Sequence, residues 1–140
     1  MKKKFVIDSS VAVKWVNGQN EKYLDQADKI LKDVEDKKAV LIMPELAKYE
    51  VGNALWKKGM QIQNTLGSIA TYYSIPVQFV TQSQRQAEDT MRIAYDNKIT
   101  YYDATFMALA KNEKAVLVTD NPKHQAREIV GLKVVSLKDY

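Results

Sequence analysis

Ala115-Val116-Leu117-Val118-Thr119-Asp120 is a run of uncharged, mostly apolar residues closed by a carboxylate, and Phe5-Val6-Ile7-Asp8 repeats the pattern near the start of the chain. Short continuous apolar runs, as opposed to alternating ones, belong to strands buried on both faces. Burial on both faces calls for helices above and below a parallel sheet. The rest of the chain supplies them. Lys4–Asp8 reads as a first strand and Ser9–Trp15 as a helical turn, with Ser9 or Ser10 available as N-cap. Glu21–Asp36 reads as an amphipathic helix with Leu24, Ala27, Ile30, Leu31 and Val34 at three- and four-residue spacing. Ala39–Met43 is a second buried strand. Pro44 is expected to open the next helix, where its missing N–H costs nothing, and Gly59 to stop it after Lys58.

Further along, Gln61–Tyr73 reads as a helix with Ile62, Leu66, Ile69 and Ala70 inward, and Pro76–Val80 as a short strand. Gln82–Asn97 is helical with Ala87, Met91 and Ala94 on one stripe. Tyr102–Asn112 is a helix, Ala115–Thr119 a strand, Pro122–Val130 a short helix and Lys133–Ser136 a last strand. Strand and helix alternate throughout. The expected fold is therefore α/β, a three-layer α/β/α arrangement around a mainly parallel sheet, in one domain spanning residues 1–140. In such folds ligands sit beyond the carboxyl ends of the strands, where Asp8 and Asp120 fall.

Composition narrows the chemistry. The 140 residues are 46% apolar and 27% charged and include no cysteine, which excludes disulfides, thiolate metal sites and cysteine nucleophiles. The single histidine, His124, sits in a polar turn with no triad partner signature, and zinc sites built from several His or Cys residues are excluded within one chain. Lys2-Lys3-Lys4 resembles the basic start of an export signal, but only Phe5, Val6 and Ile7 precede Asp8, too short a core, and a cytoplasmic location is expected. Net charge is +4. If four acids are withdrawn into a metal pocket, the remaining surface is markedly basic, which suits a polyanionic substrate.

The four candidate acids are Asp8, Glu50, Asp103 and Asp120. Asp8 and Asp120 alone read as turn or cap residues. Glu50 falls inside the apolar arc formed on its helix by Leu46, Ala47, Val51, Ala54 and Leu55, where an unpaired carboxylate is costly. Asp103 heads the stripe of Phe106, Met107 and Ala110, and Thr100 stands three residues before it in a capping-box pattern. Carboxylates gathered at one sheet edge repel unless a cation holds them, and hard oxygen ligands suit Mg²⁺ or Mn²⁺.

Four stretches then carry a resemblance. Phe5-Val6-Ile7-Asp8-Ser9-Ser10-Val11-Ala12-Val13-Lys14-Trp15, Pro44-Glu45-Leu46 through Tyr49-Glu50-Val51-Gly52-Asn53-Ala54-Leu55, Tyr102-Asp103-Ala104-Thr105-Phe106-Met107-Ala108-Leu109-Ala110 and Leu117-Val118-Thr119-Asp120-Asn121 resemble, in order and spacing, the motifs of PIN domains, specifically the VapC-type toxin ribonucleases of toxin–antitoxin pairs. The resemblance runs end to end. It implies a PIN-like fold and metal-dependent cleavage of RNA, in which Mg²⁺ or Mn²⁺ lowers the pKa of a water, polarises the phosphate and stabilises the leaving oxygen. Asp8 and Asp103 are implied as ligands, Glu50 as a ligand or as the group orienting the water, and Asp120 as acting directly or through water. Ser10, Thr119 and Asn121 are implied as supporting or phosphate-positioning groups, with Lys14 and Arg85 as candidate phosphate contacts. The family's last motif reads Thr, any residue, Asp. Here the acid stands one position early, leaving Asp120 and Asn121 as alternatives for the fourth place.

Relatives of this type pair with themselves and with an antitoxin that reaches into the active site, presenting a charged side chain that displaces metal or water. The resemblance implies both partners here. Tyr49 and Trp56, seven apart and outside the buried arc of their helix, are candidates for an interface core or for packing on the next helix. Two rival readings compete. In a Mg²⁺-dependent aspartyl-phosphate phosphohydrolase Asp8 would be the nucleophile, but Ser10 replaces the expected second acid of the dehalogenase type and no acidic pair suits a receiver. In a non-catalytic PIN-like binding module, four bare carboxylates would repel the RNA.

Overall fold

A computed structural model describes residues 2–121 and 128–140. Among these, six α-helices, in consecutive pairs, and five strands follow in the order β1 (Lys3–Ile7), α1 (Ser9–Val16), α2 (Leu24–Glu35), β2 (Ala39–Pro44), α3 (Leu46–Lys57), α4 (Ile62–Ser74), β3 (Val77–Val80), α5 (Gln84–Asn97), α6 (Tyr101–Glu113), β4 (Val116–Thr119) and β5 (Lys133–Ser136). The strands form one sheet in the order β3-β2-β1-β4-β5, and every pairing is parallel. The mainly parallel α/β expectation is met. The sheet is wound in two directions from β1, so β1 and β4 flank the point where the strand order reverses. Asp8 and Asp120 follow these two strands directly.

The core is the sheet's two faces and the helix stripes laid on them. Val6, Ile7, Leu41, Ile42, Met43, Leu117 and Val118 are at most 1% exposed. α6 is the most deeply set helix, buried continuously from Ala104 to Ala110. Its small residues Ala104, Ala108 and Ala110 let its backbone approach the sheet closely, while Phe106, Met107 and Leu109 fill the space between. α1 is tied to α2 by the Trp15 indole, which donates to the Ala27 carbonyl at 2.9 Å.

Several local expectations are corrected. Pro44 ends β2 instead of opening α3. It lies opposite Val80, beyond the last β1–β2 partner pair, where the ladder lacks nothing from its missing N–H. α2 begins at Leu24, not Glu21, because Tyr23 takes the left-handed conformation at φ 60° and breaks the helical path before it. The N-cap of α1 is Asp8, and both serines lie inside the helix with their hydroxyls engaged elsewhere. On α5 the buried positions are Gln86, Thr90, Ile93 and Ala94, while Met91 is 48% exposed, so the stripe is rotated from the one expected. The Thr100 cap is as expected: its Oγ1 accepts from the Asp103 N–H at 3.0 Å. Gly59, at φ +68°, supplies the left-handed turn after α3. The expected helix Pro122–Val130 lies largely outside the described residues, as does His124; Glu128 and Ile129 are not helical.

α4 departs furthest. Ile62, Leu66, Ile69 and Ala70, expected inward, are all exposed, and Tyr72 is its only buried residue. Tyr49 and Trp56 on the adjoining α3 are 76% and 75% exposed, which rules out packing against the next helix. Exposed Tyr73 belongs to the same pair of helices. Apolar patches of this kind mark interaction surfaces.

The rotated α5 stripe is directly testable. Ile93→Ala should cost about 2–4 kcal/mol of unfolding free energy, and Met91→Ala less than about 1. Urea denaturation measures both, and the reverse order would contradict the helix placement.

Candidate active site

At the carboxyl edge of the sheet, β1 delivers Asp8 into a pocket already shaped by β4. The Asp8 N–H donates to the Val118 carbonyl at 3.0 Å, continuing the β1–β4 ladder one step past the strand end. The side chain is 6% exposed and accepts two hydroxyl hydrogen bonds at one oxygen, Oδ2: from Ser10 Oγ at 2.6 Å and from the fully buried Thr119 Oγ1 at 2.9 Å. Each hydroxyl also accepts a backbone N–H. Asp120 N–H donates to Ser10 Oγ at 3.1 Å, and Asn121 N–H to Thr119 Oγ1 at 2.9 Å. Each accepted bond orients its hydroxyl hydrogen toward Asp8. The carboxylate is thus held in one orientation by a network with both termini in the backbone.

Glu50 comes from α3 and Asp103 from the first turn of α6. Ser9 Oγ donates to Glu50 Oε1 at 2.9 Å, tying α3 to α1 across the site. Burial pushes the Glu50 carboxyl above the usual glutamate range. The Ser9 bond pulls it back, and repulsion from the Asp8 and Asp103 carboxylates adds to the rise. The structure therefore brings Asp8 and Asp103 within electrostatic reach of Glu50. Among the described residues no group of three or more His, Asp or Glu side chains is placed to hold a metal ion by itself.

Carboxylate oxygens are the ligand type that Mg²⁺ or Mn²⁺ takes. Mg²⁺ keeps several waters and is commonly held by one or two carboxylates together with substrate phosphate. Glu50, raised by burial and further by repulsion from Asp8 and Asp103, marks where a cation would relieve that repulsion. Asp8 and Asp103, with Glu50 beside them, are the residues that would hold it.

Asp120 is placed differently. Its backbone N–H serves the site through Ser10, but its carboxylate turns to Lys14, Oδ2 lying 3.1 Å from Nζ. Lys14 is 5% exposed and also meets Glu21 Oε1 at 3.0 Å; Glu21 Oε2 in turn meets Lys58 Nζ at 2.9 Å. Asp120, Lys14, Glu21 and Lys58 form a chain of alternating charge from the end of β4, through α1 and the α1–α2 loop, to the end of α3. Lys14 is consequently a buried counter-ion, not an accessible phosphate contact, and the Asp120 carboxylate is engaged by it. Arg85 lines a separate depression along α5 and α6 with Asp89, Arg92 and Lys111, sharing no lining residue with the acids. Ser9 and Glu21 escaped sequence reading: Ser9 acts through Glu50, 41 residues on, and Glu21 bridges Lys14 to Lys58, 37 residues on, and the chain carries no local signal for such distant partners.

Burial pushes the Glu21 carboxyl up, but the hydrogen bonds and charges of Lys58 and Lys14 together outweigh it, and its net pKa is lowered.

A family model of the PIN domain matches residues 5–129. The chain belongs to the PIN-domain family. Solved structures similar to this PIN domain include the VapBC2 complex of Rickettsia felis bound to a promoter DNA fragment, with TM-score 0.73 and 17% identity over 95% of this chain and 98% of that one. Mycobacterium tuberculosis VapC20, a sarcin–ricin loop cleaving toxin, gives TM-score 0.67 and 14% identity over 89% and 96% of the two chains. A toxin–antitoxin complex from Klebsiella pneumoniae gives 0.64 and 21% over 96% and 98%. At such identities the likeness establishes the fold. No match was found among curated proteins.

The two perturbed glutamates of this PIN domain should respond to pH with opposite sign. Glu21, lowered in the fold, contributes stability that is present above its ordinary value and lost as pH falls through its folded value, so Glu21→Gln should be destabilising at neutral pH and nearly neutral in acid. Glu50, raised in the fold, subtracts stability as pH climbs from its ordinary value through the raised one. Glu50→Gln, unfolded in chelator, should therefore be stabilising at neutral pH and without effect in acid. Urea midpoints across pH for both variants check this; the same sign for both would contradict the assigned environments.

Proposed function

We propose that this chain is a metal-dependent endoribonuclease and the toxin of a VapBC-type toxin–antitoxin pair. The observation that carries the reading is the acidic group at the β1–β4 switch point, where Asp8 is fixed by Ser10 and Thr119 while Glu50 is raised by burial and, further, by the charges of Asp8 and Asp103. A structural cluster would have bonded its carboxylates to cations of the chain, as Glu21 does. Glu50 is bonded to a hydroxyl instead. The likeness to a described RNA-cleaving toxin supports the same direction.

A divalent cation bound there supplies a Lewis acid that neutralises charge on the scissile phosphate and favours hydroxide over water at neutral pH. The chain's own residues do the rest. Asp8, locked at Oδ2, and Asp103, whose backbone N–H is capped by Thr100, hold ligand oxygens in place. Glu50, with its raised pKa, is suited to take a proton from the attacking water, and Ser9 sets its orientation. Ser10, Thr119 and the Asp120 and Asn121 backbone support Asp8 and so fix the approach geometry. Asp120 supports the site through its main chain and through Lys14.

Replacing Asp8 or Asp103 with Asn should therefore reduce Mn²⁺-stimulated cleavage of RNA by at least about 10³-fold while preserving the fold. Asp120→Asn should cost less, within about tenfold, because its carboxylate serves Lys14. Gel assays with matched circular dichroism check this. Equal losses at Asp103 and Asp120 would place Asp120 among the ligands.

The partners follow from the exposed α3–α4 face. Tyr49, Trp56, Ile62, Leu66 and Tyr73 offer aromatic and aliphatic anchors that stay in water in the single chain. Several of the similar structures are toxin–antitoxin complexes. We assign a homodimer and a cognate antitoxin that inhibits cleavage by presenting a charged side chain to the acids. Light scattering should show a dimer at micromolar concentration, and a cognate antitoxin should suppress cleavage. Trp56→Glu should disrupt at least one of the two assemblies. A monomer, or cleavage indifferent to the antitoxin, would overturn the corresponding assignment.

A further inference from the structure

The amino edge of the sheet, opposite the acids, is a dense field of lysine. An open depression of about 1090 Å³ there is lined by eight lysines against two aspartates. That local excess is larger than the net charge of the whole chain, which is +4. All eight are exposed, and among the described residues only Lys29 makes an ion pair, with Asp33 at 3.2 Å. Parallel pairing puts four of them in a row. Lys38 precedes β2, Lys3 opens β1, Lys114 precedes β4 and Lys133 opens β5, and these four strands are consecutive neighbours in the sheet. At about 4.8 Å between strands the row spans roughly 15 Å.

Helix ends explain part of this. α2 and α6 finish at this edge, and their carbonyl ends favour nearby cations. That accounts for Lys37, Lys38 and Lys114 but not for Lys2, Lys3, Lys4 or Lys133, which belong to strands or their approach. Lys37 and Lys114 also adopt left-handed backbone, at φ 60° and 52°, a conformation that Gly or Asn takes at lower cost. Side chains of high charge thus occupy turn positions where a neutral residue would fit better.

We propose that this edge binds the phosphate backbone of RNA, holding the body of a folded RNA on the side of the domain remote from the cleavage site. The inference extends the ribonuclease reading to its substrate, and says that the substrate is large. β1 separates Lys3 from Asp8 by about 16 Å of strand, beyond the reach of a few nucleotides bound only at the acids. The charge is spread in a row, as a repeating polyanion requires, with backbone phosphates recurring about every 3.4 Å along one strand. A membrane surface fits less well, because interfacial binding needs exposed apolar anchors, and among the described residues none of the exposed large apolar side chains lines this depression.

Binding of a labelled RNA hairpin, measured by fluorescence anisotropy in EDTA on the Asp103→Asn background, tests the edge without cleavage. The triple variant Lys3→Gln, Lys114→Gln, Lys133→Gln should weaken binding at least about tenfold and lower the slope of log Kd against log salt by about 2. A matched triple elsewhere, Lys22→Gln, Lys57→Gln and Arg92→Gln, removes the same charge and should change affinity less than about threefold. Matched melting temperatures confirm that both triples are folded. Equal losses in the two triples, or none in the first, would overturn the proposal. So would binding to phosphatidylglycerol vesicles that depends on the first triple while RNA binding does not. Because no cleavage is read, failure here leaves the ribonuclease reading standing, and failure of that reading leaves this result interpretable.

Discussion

Everything at the acidic edge depends on the parallel pairing of β1 with β4. Phe5, Val6 and Ile7 lie beside Val116, Leu117 and Val118, and the ladder runs one step further through the Asp8 N–H. That single register sets Thr119 against Asp8 and brings Asp120 over Ser10. Slipping it by one residue would turn Asp8 and Thr119 to opposite faces of the sheet. The apolar cores of both strands, fully buried at Val6, Ile7, Leu117 and Val118, make such a slip prohibitively unfavourable. Hydrophobic burial therefore fixes the position of a polar site in which burial is itself costly.

The site contains two groups of acids, distinguished by the partners that hold them. Asp120 and Glu21 share buried Lys14. Asp8 is held by the Ser10 and Thr119 hydroxyls and Glu50 by that of Ser9, and Glu50 feels the charge of both Asp8 and Asp103. The first group holds α1, α3 and β4 in register. The second presents negative charge at the sheet edge, where a cation and a phosphate can meet. A basic row at the far edge gives the domain opposite electrostatic ends, about one strand length apart.

Much of this was legible from the residues. Continuous apolar runs ended by Asp8 and Asp120 identify a doubly covered parallel sheet and its ligand edge, because period and burial are properties of the local sequence. Glu50 and Asp103 stand out as acids on apolar arcs for the same reason. What escaped was relational. Lys14 looks like a phosphate contact until Glu21 and Asp120 are seen beside it. On α4, the spacing of Ile62, Leu66 and Ile69 reveals an apolar face but not what covers it, and in the single chain nothing does. The start of α2 moved because Tyr23 adopts a backbone conformation that its side chain does not announce.

The proposed divalent-cation site comprises Asp8, Glu50 and Asp103 and leaves out Asp120. Mn²⁺ binding followed by water-proton relaxation, in the wild type and in the Asp103→Asn and Asp120→Asn variants, tests it without RNA or turnover. Enhancement should be lost in Asp103→Asn and retained in Asp120→Asn. Equal enhancement in all three proteins, or its loss only in Asp120→Asn, would contradict it.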